Sequence, residues 1–302
     1  GARRRWLAAQ SQARGFKVIE ARRPLTPAEA RNLGAAQART EFVLFIENDV
    51  IPMRNWLSRM VACADETGAD AVVPMTCEGR PLHAIVHHVG GEDDGPPDAD
   101  AEGGAPDFKE VFHQQGLDRA TASSQFSRRR TSNCEMHCLL VRRSALEKVG
   151  PFDPEIVSKE YLDFSWRFAQ AQLSFWVEPE AVVTFLIPSE SDPIRIADVP
   201  YFLLRWSPHW QTHSHDLLQQ KWGLREAGFI GARRKLADWR IIDHLVKPAL
   251  KTIPVLGKRW GFVERGSKVL YPLAAAGAAV MARRHARLRR RALDKDRAGA
   301  NA

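Results

Sequence analysis

The chain has 302 residues, of which 44% are hydrophobic and 26% are charged, an ordinary composition for a soluble globular protein. Its net charge of +8 is uneven: residues 282–302 hold 8 Lys and Arg against 2 Asp, leaving 36 basic and 34 acidic residues elsewhere. A protein that binds nucleic acid usually carries a basic surface on its folded domain. Residues 1–281 are nearly neutral, which argues against this class of protein, and we expect no nucleic-acid partner.

Predicted strands and helices alternate in the first part of the chain. FKVIE (16–20) has the pattern of a short strand. Thr26 and Glu29 form a capping box with Pro27 at the first helical position, so a helix is expected to start there. FVLFI (42–46) is a continuous apolar run, typical of a central strand covered on both faces.

A helix at about 52–67 and a strand DAVVP (70–74) continue this alternation. It predicts an α/β fold with a doubly wound, mostly parallel sheet. The Gly, Pro and Asp-rich stretch that follows predicts a mobile insertion at about 90–130. Order is expected again from 137 onwards, where HCLLVRRSALEKVG has the pattern of a strand followed by a short helix. A helix at 159–172 and short strands at 174–177 and 181–185 are expected after it.

The pattern becomes helical and aromatic after Pro188. We expect three regions: an α/β domain over 1–188, a helical C-terminal region over 189–281, and a disordered basic tail over 282–302. The apolar run 269–281 is too short to span a bilayer. Two interpretations stay open, a helix docked on the domain with a solvated tail and a peripheral contact with anionic lipid. We expect a cytoplasmic protein in either case.

Two acids follow directly after the apolar run 42–46. Ligands of open parallel sheets bind beyond the carboxyl ends of the strands, where Glu47 and Asp49 are expected to lie. One interpretation is a turn or helix-cap acid, since Pro52 can open the next helix. The other is a ligand of a hard divalent cation that also contacts substrate phosphates.

A second acidic pair lies in the predicted helix 159–172. Glu160, Asp163 and Arg167 are spaced so that they share one helix face. A salt-bridged, solvent-facing side is the simple interpretation. The functional interpretation is that a carboxylate in the first turn enters a cleft and takes a proton from an attacking hydroxyl.

The sequence CEMHC offers Cys134, His137 and Cys138 as metal ligands. In a strand, however, residues 134 and 138 point to one face and residue 137 to the other. We therefore expect buried, reduced cysteines here rather than a zinc site.

The order of these motifs over about residues 16–187 resembles family-2 glycosyltransferases with the GT-A fold. The resemblance is carried by ARN in the second helix, the apolar strand with E-x-D, the helix beginning P-x-x-W-L, and LLVRRSALEKVGPFDPEI followed by KEYLDFSWRFAQ. It implies sugar transfer with inversion from a nucleotide-sugar donor to a glycan or lipid-linked acceptor of the cell surface, and a Mg²⁺ or Mn²⁺ cofactor.

The resemblance also implies roles for individual residues. Asp49 matches the metal and diphosphate contact, with Glu47 at the first position of the same motif. Arg31 and Asn32 match an element near the donor nucleotide. Glu160 and Asp163 match the acidic element that supplies the catalytic base.

Three departures from the family pattern qualify these roles. Tyr161 stands where many relatives carry the base, which shifts the expectation to Glu160 with Asp163 in reserve. Phe185 stands where many relatives have a metal-binding His. The family's first strand and its DDGS-like nucleotide-binding segment have no counterpart, so we expect them to precede Gly1. The alternative function is a non-catalytic GT-A-like module that binds a sugar or a partner.

Overall fold

The computed structural model describes residues 2–21, 23–93, 110–187, 194–195, 198–224 and 238–300. Part of the predicted insertion, residues 94–109, lies outside this range. Residues 189–193, 196–197 and 225–237 of the predicted helical region, and the last two residues of the predicted tail, are outside it as well.

Strands and short helices make up the N-terminal part of the chain. They are α1 (Ala2–Arg14), α2 (Pro27–Ala35), β1 (Phe42–Ile46), β2 (Val50–Pro52), α3 (Trp56–Thr67), β3 (Ala71–Glu78), β4 (Ile85–His88), β5 (Gly91–Asp93), β6 (Glu110–Phe112), α4 (Arg119–Gln125) and β7 (Arg129–Thr131).

The remaining elements complete the sheet and then become helical. They are β8 (Cys138–Arg142), α5 (Arg143–Val149), α6 (Glu160–Gln170), β9 (Phe175–Phe185), α7 (Val199–Trp206), α8 (Pro208–Trp222), a π-helical turn (Ile242–Val246), α9 (Lys247–Lys251), a 3-10 turn (Leu256–Lys258) and α10 (Trp260–Ala300).

The central sheet has the order β1-β8-β3-β9-β2, with β4 added beside the end of β3 and β7 beside the start of β9. Strands β1, β3 and β9 run in the same direction, but β8 is inserted antiparallel between β1 and β3. Among the described strands, β3 and β9 are therefore the direct parallel neighbours. β5 and β6 form a separate antiparallel pair.

Helices cover both faces of this sheet. One core contains Phe164 and Phe168 of α6 against β3, β8 and β9. The other contains Met60 and Cys63 of α3 against the opposite face. The α/β class and the doubly wound layering are confirmed, because strands with apolar residues on both faces require a helix on each side.

The capping box that the sequence predicts at the start of α2 is present in the structure. The Thr26 hydroxyl accepts a hydrogen bond from the backbone N–H of Glu29, and the Glu29 carboxylate accepts one from the backbone N–H of Thr26. This capping box satisfies two donors that the first helical turn leaves unpaired.

The segment 16–20 forms no strand. Its apolar side chains Phe16, Val18 and Ile19 are 42%, 38% and 39% exposed, and residues 17–20 border a groove along α1. A five-residue apolar pattern becomes a strand only where a neighbouring strand completes its backbone hydrogen bonds, and no described strand lies beside this one.

The basic C-terminal segment differs from the disordered tail that composition suggested. Helix α10 continues to Ala300, and Arg289 is only 5% exposed. Its guanidinium donates to the carboxylates of Glu29 and Glu155 and to the Pro154 carbonyl. Arg289 therefore ties α10 to the start of α2 and to the loop before α6. The division of the chain at residues 188 and 281 stays a prediction.

We expect Phe164→Ala to lower the free energy of unfolding by about 3–5 kcal/mol, because it leaves a cavity in a packed core. Phe164 is fully buried, and its ring stacks on Phe152 with centroids 4.5 Å apart. Urea unfolding measures the change. The control is Leu273→Ala, whose side chain on α10 is 73% exposed. Equal destabilisation by the two substitutions would contradict the placement of α6 in the core.

Candidate functional site

The candidate site lies at the carboxyl edge of the sheet, where β1, β3 and β9 end together. Such an edge is the usual ligand-binding side of an α/β sheet. The backbone N–H of Glu47 donates to the carbonyl of His137 at 3.0 Å, which brings the end of β1 beside the start of β8. The carbonyl of Asp49 accepts from Leu186 N–H at 2.9 Å, which holds the following turn against the end of β9.

Four charged side chains from different elements form an ion network at this edge. Arg31 of α2 donates to Glu160 Oε1 at 2.7 Å and to Glu47 Oε1 at 3.2 Å. Arg205 of α7 lies 3.5 Å from Glu47 Oε1 and 3.7 Å from Glu160 Oε1. Two carboxylates are thereby matched by two guanidinium groups in a largely buried position, which is the condition for stable buried charge.

The two acids that follow β1 have opposite electrostatic environments. Burial alone would raise the pKa of Glu47, but the hydrogen bond to His137 and the charges of Arg205 and Arg31 hold it at about 2. Although the side chain is open to solvent on one side, protein groups that displace water around it and the neighbouring Glu47 charge raise the pKa of Asp49. Asp49 is exposed, and in the described part of the chain no side chain hydrogen-bonds to its carboxylate. Its oxygens are therefore available to a cation.

Glu160 begins α6 and is only 2% exposed. Lys159, directly before it, has a left-handed backbone (φ 61°), which turns the chain into the helix. Oε1 of Glu160 is engaged by Arg31 and Arg205, whereas Oε2 is buried without a hydrogen-bond partner among the described residues. The other three carboxylate oxygens of Glu47 and Glu160 each accept a hydrogen bond from a described side chain.

Two predicted site residues have structural contacts instead. Asn32 donates to the Phe152 carbonyl and accepts from the Phe152 N–H, both at 2.8 Å, so it fastens α2 to the loop before α6. Asp163 is 1% exposed and is held by Arg167 at 2.9 Å, Lys221 at 2.7 Å and the Trp222 indole N–H at 3.0 Å. These contacts join α6 to α8. The structure thus brings Arg31, Glu47 and Glu160 together. Asn32 and Asp163 instead form contacts between other elements of the fold.

Sequence reasoning missed Arg205 and Glu135, and it considered His137 only in a set with Cys134 and Cys138. Arg205 lies in a helix more than 40 residues after Glu160, and no local spacing connects it to the site. For Glu135 and His137 a signal existed, because alternation in an extended segment puts them on the face opposite Cys134 and Cys138. Cys134 and Cys138 are free and buried, as predicted, and so are the other two cysteines of the chain.

Phe185 occupies the end of β9 beside these groups. Its ring stacks on His137 with centroids 4.1 Å apart and nearly parallel planes, and its edge meets His87 at 4.8 Å. The aromatic ring therefore positions two imidazoles at the same edge of the sheet.

Comparison with known proteins gives one family model and two curated relatives, each matching only part of the chain. A family model described as Glycosyl transferase family 2 matches residues 5–81. Two proteins named pre-mycofactocin glycosyltransferase, from the CDC 1551 / Oshkosh and ATCC 25618 / H37Rv strains of Mycobacterium tuberculosis, are each 31% identical over 158 residues. The alignment covers 52% of this chain, and the chain spans only 29% of the length of either relative.

Solved structures whose backbone fold is partly similar include that of GalNAc-T7 with UDP, GalNAc and Mn²⁺. That match has a TM-score of 0.44 at 14% identity and covers 81% of this chain and 50% of the other. Residues 1–349 of S. aureus TarS in complex with UDP match with a TM-score of 0.39 at 15% identity, covering 93% of this chain and 75% of the other. Both are distant likenesses.

Not one of the described helices combines the length and the apolar character that crossing a bilayer requires.

We expect the stabilisation contributed by Glu47 to disappear as the pH falls from about 5 to about 2. Its pKa is 4.5 in the reference state and about 2 in the folded chain, so the unfolded chain takes up the proton first and acid favours unfolding. The difference in free energy of unfolding between the wild type and Glu47→Gln is expected to shrink by on the order of 3 kcal/mol over this range.

Urea unfolding at a series of pH values measures this difference. The control is Glu41→Gln, whose carboxylate is 66% exposed. If the two variants show the same dependence on pH, the buried network does not hold Glu47 ionised.

Proposed function

Because its residues 5–81 match a family model described as Glycosyl transferase family 2, we propose that this chain is part of a glycosyltransferase that moves a sugar from a nucleotide-sugar donor to a hydroxyl acceptor. The observation that carries the proposal is the pairing of an exposed acid, Asp49, with the unpartnered Oε2 of Glu160 at the ligand-binding edge of a GT-A-like α/β fold. The acceptor class that we favour is a glycan or lipid-linked glycan of the cell surface.

Asp49 is the residue proposed to hold a divalent cation, Mg²⁺ or Mn²⁺. Its exposed carboxylate and its raised pKa fit this role, since a neighbouring negative charge and the lack of a described side-chain donor both favour an added cation. When bound, such an ion offsets the negative charge of a nucleoside diphosphate. Glu47 is proposed to support the donor side indirectly, because its carboxylate is already held by Arg31, Arg205 and His137.

Glu160 is proposed to take the proton of the attacking hydroxyl at Oε2. The acceptor oxygen then forms a bond to the anomeric carbon while the bond from that carbon to the diphosphate oxygen breaks, and the nucleoside diphosphate leaves with the bonding electrons. Attack from the face opposite the leaving group inverts the anomeric centre. Arg31 and Arg205 hold Oε1 of Glu160, so the carboxylate cannot rotate away from the site.

Arg31 therefore acts on the base rather than on the nucleotide in this proposal. Asn32 is proposed to position the loop before α6, and Asp163 to fasten α6 to α8. The peripheral membrane contact through the basic C-terminal segment stays a proposal, although Arg289 is already used in ion pairs within the fold.

One observation favours a second function. Glu160 is nearly inaccessible and ion-paired, and Asp163 is fully engaged, which suits a module that binds a nucleotide sugar or a partner without turning it over. Calorimetric titration with nucleotide sugars and Mn²⁺, combined with an assay for released nucleotide, separates the two. Binding without release by the whole protein would favour the module.

We expect Glu160→Gln to lower turnover by about 10²–10⁴, because it removes a positioned proton acceptor. Asp49→Asn is expected to lower it by at least about 10²-fold, since it removes charge stabilisation worth several kcal/mol. Nucleotide release from a panel of nucleotide sugars measures both rates. The control is Glu180→Gln, a carboxylate that is 63% exposed.

Circular dichroism and urea unfolding of each variant show whether the fold is kept. If folded Glu160→Gln and Asp49→Asn turn over like the control, the assignment of both residues is wrong.

A further inference from the structure

Three side chains that the proposed sugar transfer does not use converge beside the ion network. His87 comes from β4, and Glu135 and His137 precede β8. One ligand atom from each lies within 4.8 Å of the others. Glu135 Oε2 is 2.9 Å from His87 Nε2 and 3.7 Å from His137 Nε2, so all three atoms point to a common centre.

Both imidazoles are oriented through their other nitrogen by a carboxylate. His87 Nδ1 lies 3.0 Å from Glu78 Oε2, and His137 Nδ1 lies 2.8 Å from Glu47 Oε2. Without an ion, His87 Nε2 hydrogen-bonds to Glu135. If an ion replaces the proton on Nε2, the carboxylate that accepts the Nδ1–H keeps the ring in the tautomer whose Nε2 lone pair binds the ion. This arrangement of carboxylate, histidine and ion is the usual support of a histidine metal ligand.

A third imidazole is buried against the same carboxylate. His88 is 1% exposed, and neither of its ring nitrogens has a hydrogen-bond partner in the described part of the chain. Its Nε2 lies 3.4 Å from Glu135 Oε2. An unsatisfied buried imidazole is costly, and this one lies beside the acid at the centre of the cluster without forming a hydrogen bond to it.

The cluster of His87, Glu135 and His137 is partly accessible to solvent, and its two imidazole rings are held in place by packing. The side chains of His87, Glu135 and His137 are 16%, 21% and 17% exposed, so the centre can be reached from outside. Phe185 stacks on one imidazole and meets the edge of the other, which fixes both rings. A fixed set of three ligands with an open side is typical of a site that keeps one coordination position for water or a substrate atom.

We propose that His87, Glu135 and His137 bind a divalent transition-metal ion, with Zn²⁺ as the best-suited ion, at a site separate from Asp49. Two imidazoles and one carboxylate are ligands that Zn²⁺ and related ions prefer, whereas Mg²⁺ and Ca²⁺ prefer oxygen ligands throughout. Because His137 and Arg31 share the Glu47 carboxylate, an ion here is coupled to the network that holds Glu160.

The test uses the whole untagged chain after treatment with a chelator, titrated with Zn²⁺ by calorimetry and with Co²⁺ by visible absorption. We expect one equivalent to bind, with a Co²⁺ spectrum typical of nitrogen and oxygen ligands, and excess Mg²⁺ to leave it unchanged. His87→Ala and Glu135→Gln are expected to weaken binding by more than about 100-fold. Glu78→Gln, which removes only an orienting carboxylate, is expected to weaken it by about 10–100-fold.

Two controls separate this site from other imidazoles and from the donor site. His113 is 23% exposed and lies beside Glu92, outside the cluster, so His113→Ala is expected to leave Zn²⁺ binding unchanged. Asp49→Asn is expected to leave it unchanged as well, even if it abolishes sugar transfer. The proposal is overturned if no ion binds, or if folded His87→Ala and Glu135→Gln bind Zn²⁺ as tightly as His113→Ala does.

Discussion

Four charged side chains form an ion network at the carboxyl edge of the sheet, where water is largely excluded. They are Arg31 of α2, Glu47 at the end of β1, Glu160 at the start of α6 and Arg205 of α7. Removing one member of such a buried network leaves an unpaired charge, which typically costs about 3–5 kcal/mol. The positions of these four elements are therefore linked. The ion network makes α7, in the C-terminal helical region, a part of the site rather than an appendage.

In the segment just before β8, burial alternates from residue to residue, which divides the side chains between two environments. Cys134 and Cys138 enter the core, while Glu135 and His137 face the edge and the carboxylates gathered there. The hydrogen bond from Glu47 N–H to the His137 carbonyl fixes this register. A slip of one residue would place the acid and the imidazole in the core and the thiols at the edge, at a large cost in burial of polar groups.

Local signals in the sequence predicted the elements that local physics determines. The apolar run of β1 and the capping box of α2 each have a cause within a few residues. The order and direction of the strands do not, because an apolar run is equally suited to a parallel or an antiparallel neighbour. This is why β8 could be predicted as a strand but not as the antiparallel insertion between β1 and β3.

Local spacing also could not predict which of the two acidic residues of α6 is covered by another helix. Glu160 and Asp163 share a helix face by spacing, so sequence alone gave both of them access to a cleft. Helix α8 lies against the second position, where Lys221 and Trp222 bind the Asp163 carboxylate and Leu218 and Trp222 pack with Trp166. The first turn of α6 remains at the edge, with Glu160 Oε2 unpartnered. Two C-terminal helices thus contact the same face of α6. Helix α8 binds Asp163 in a structural contact, and α7 supplies Arg205, which lies beside the Glu160 carboxylate.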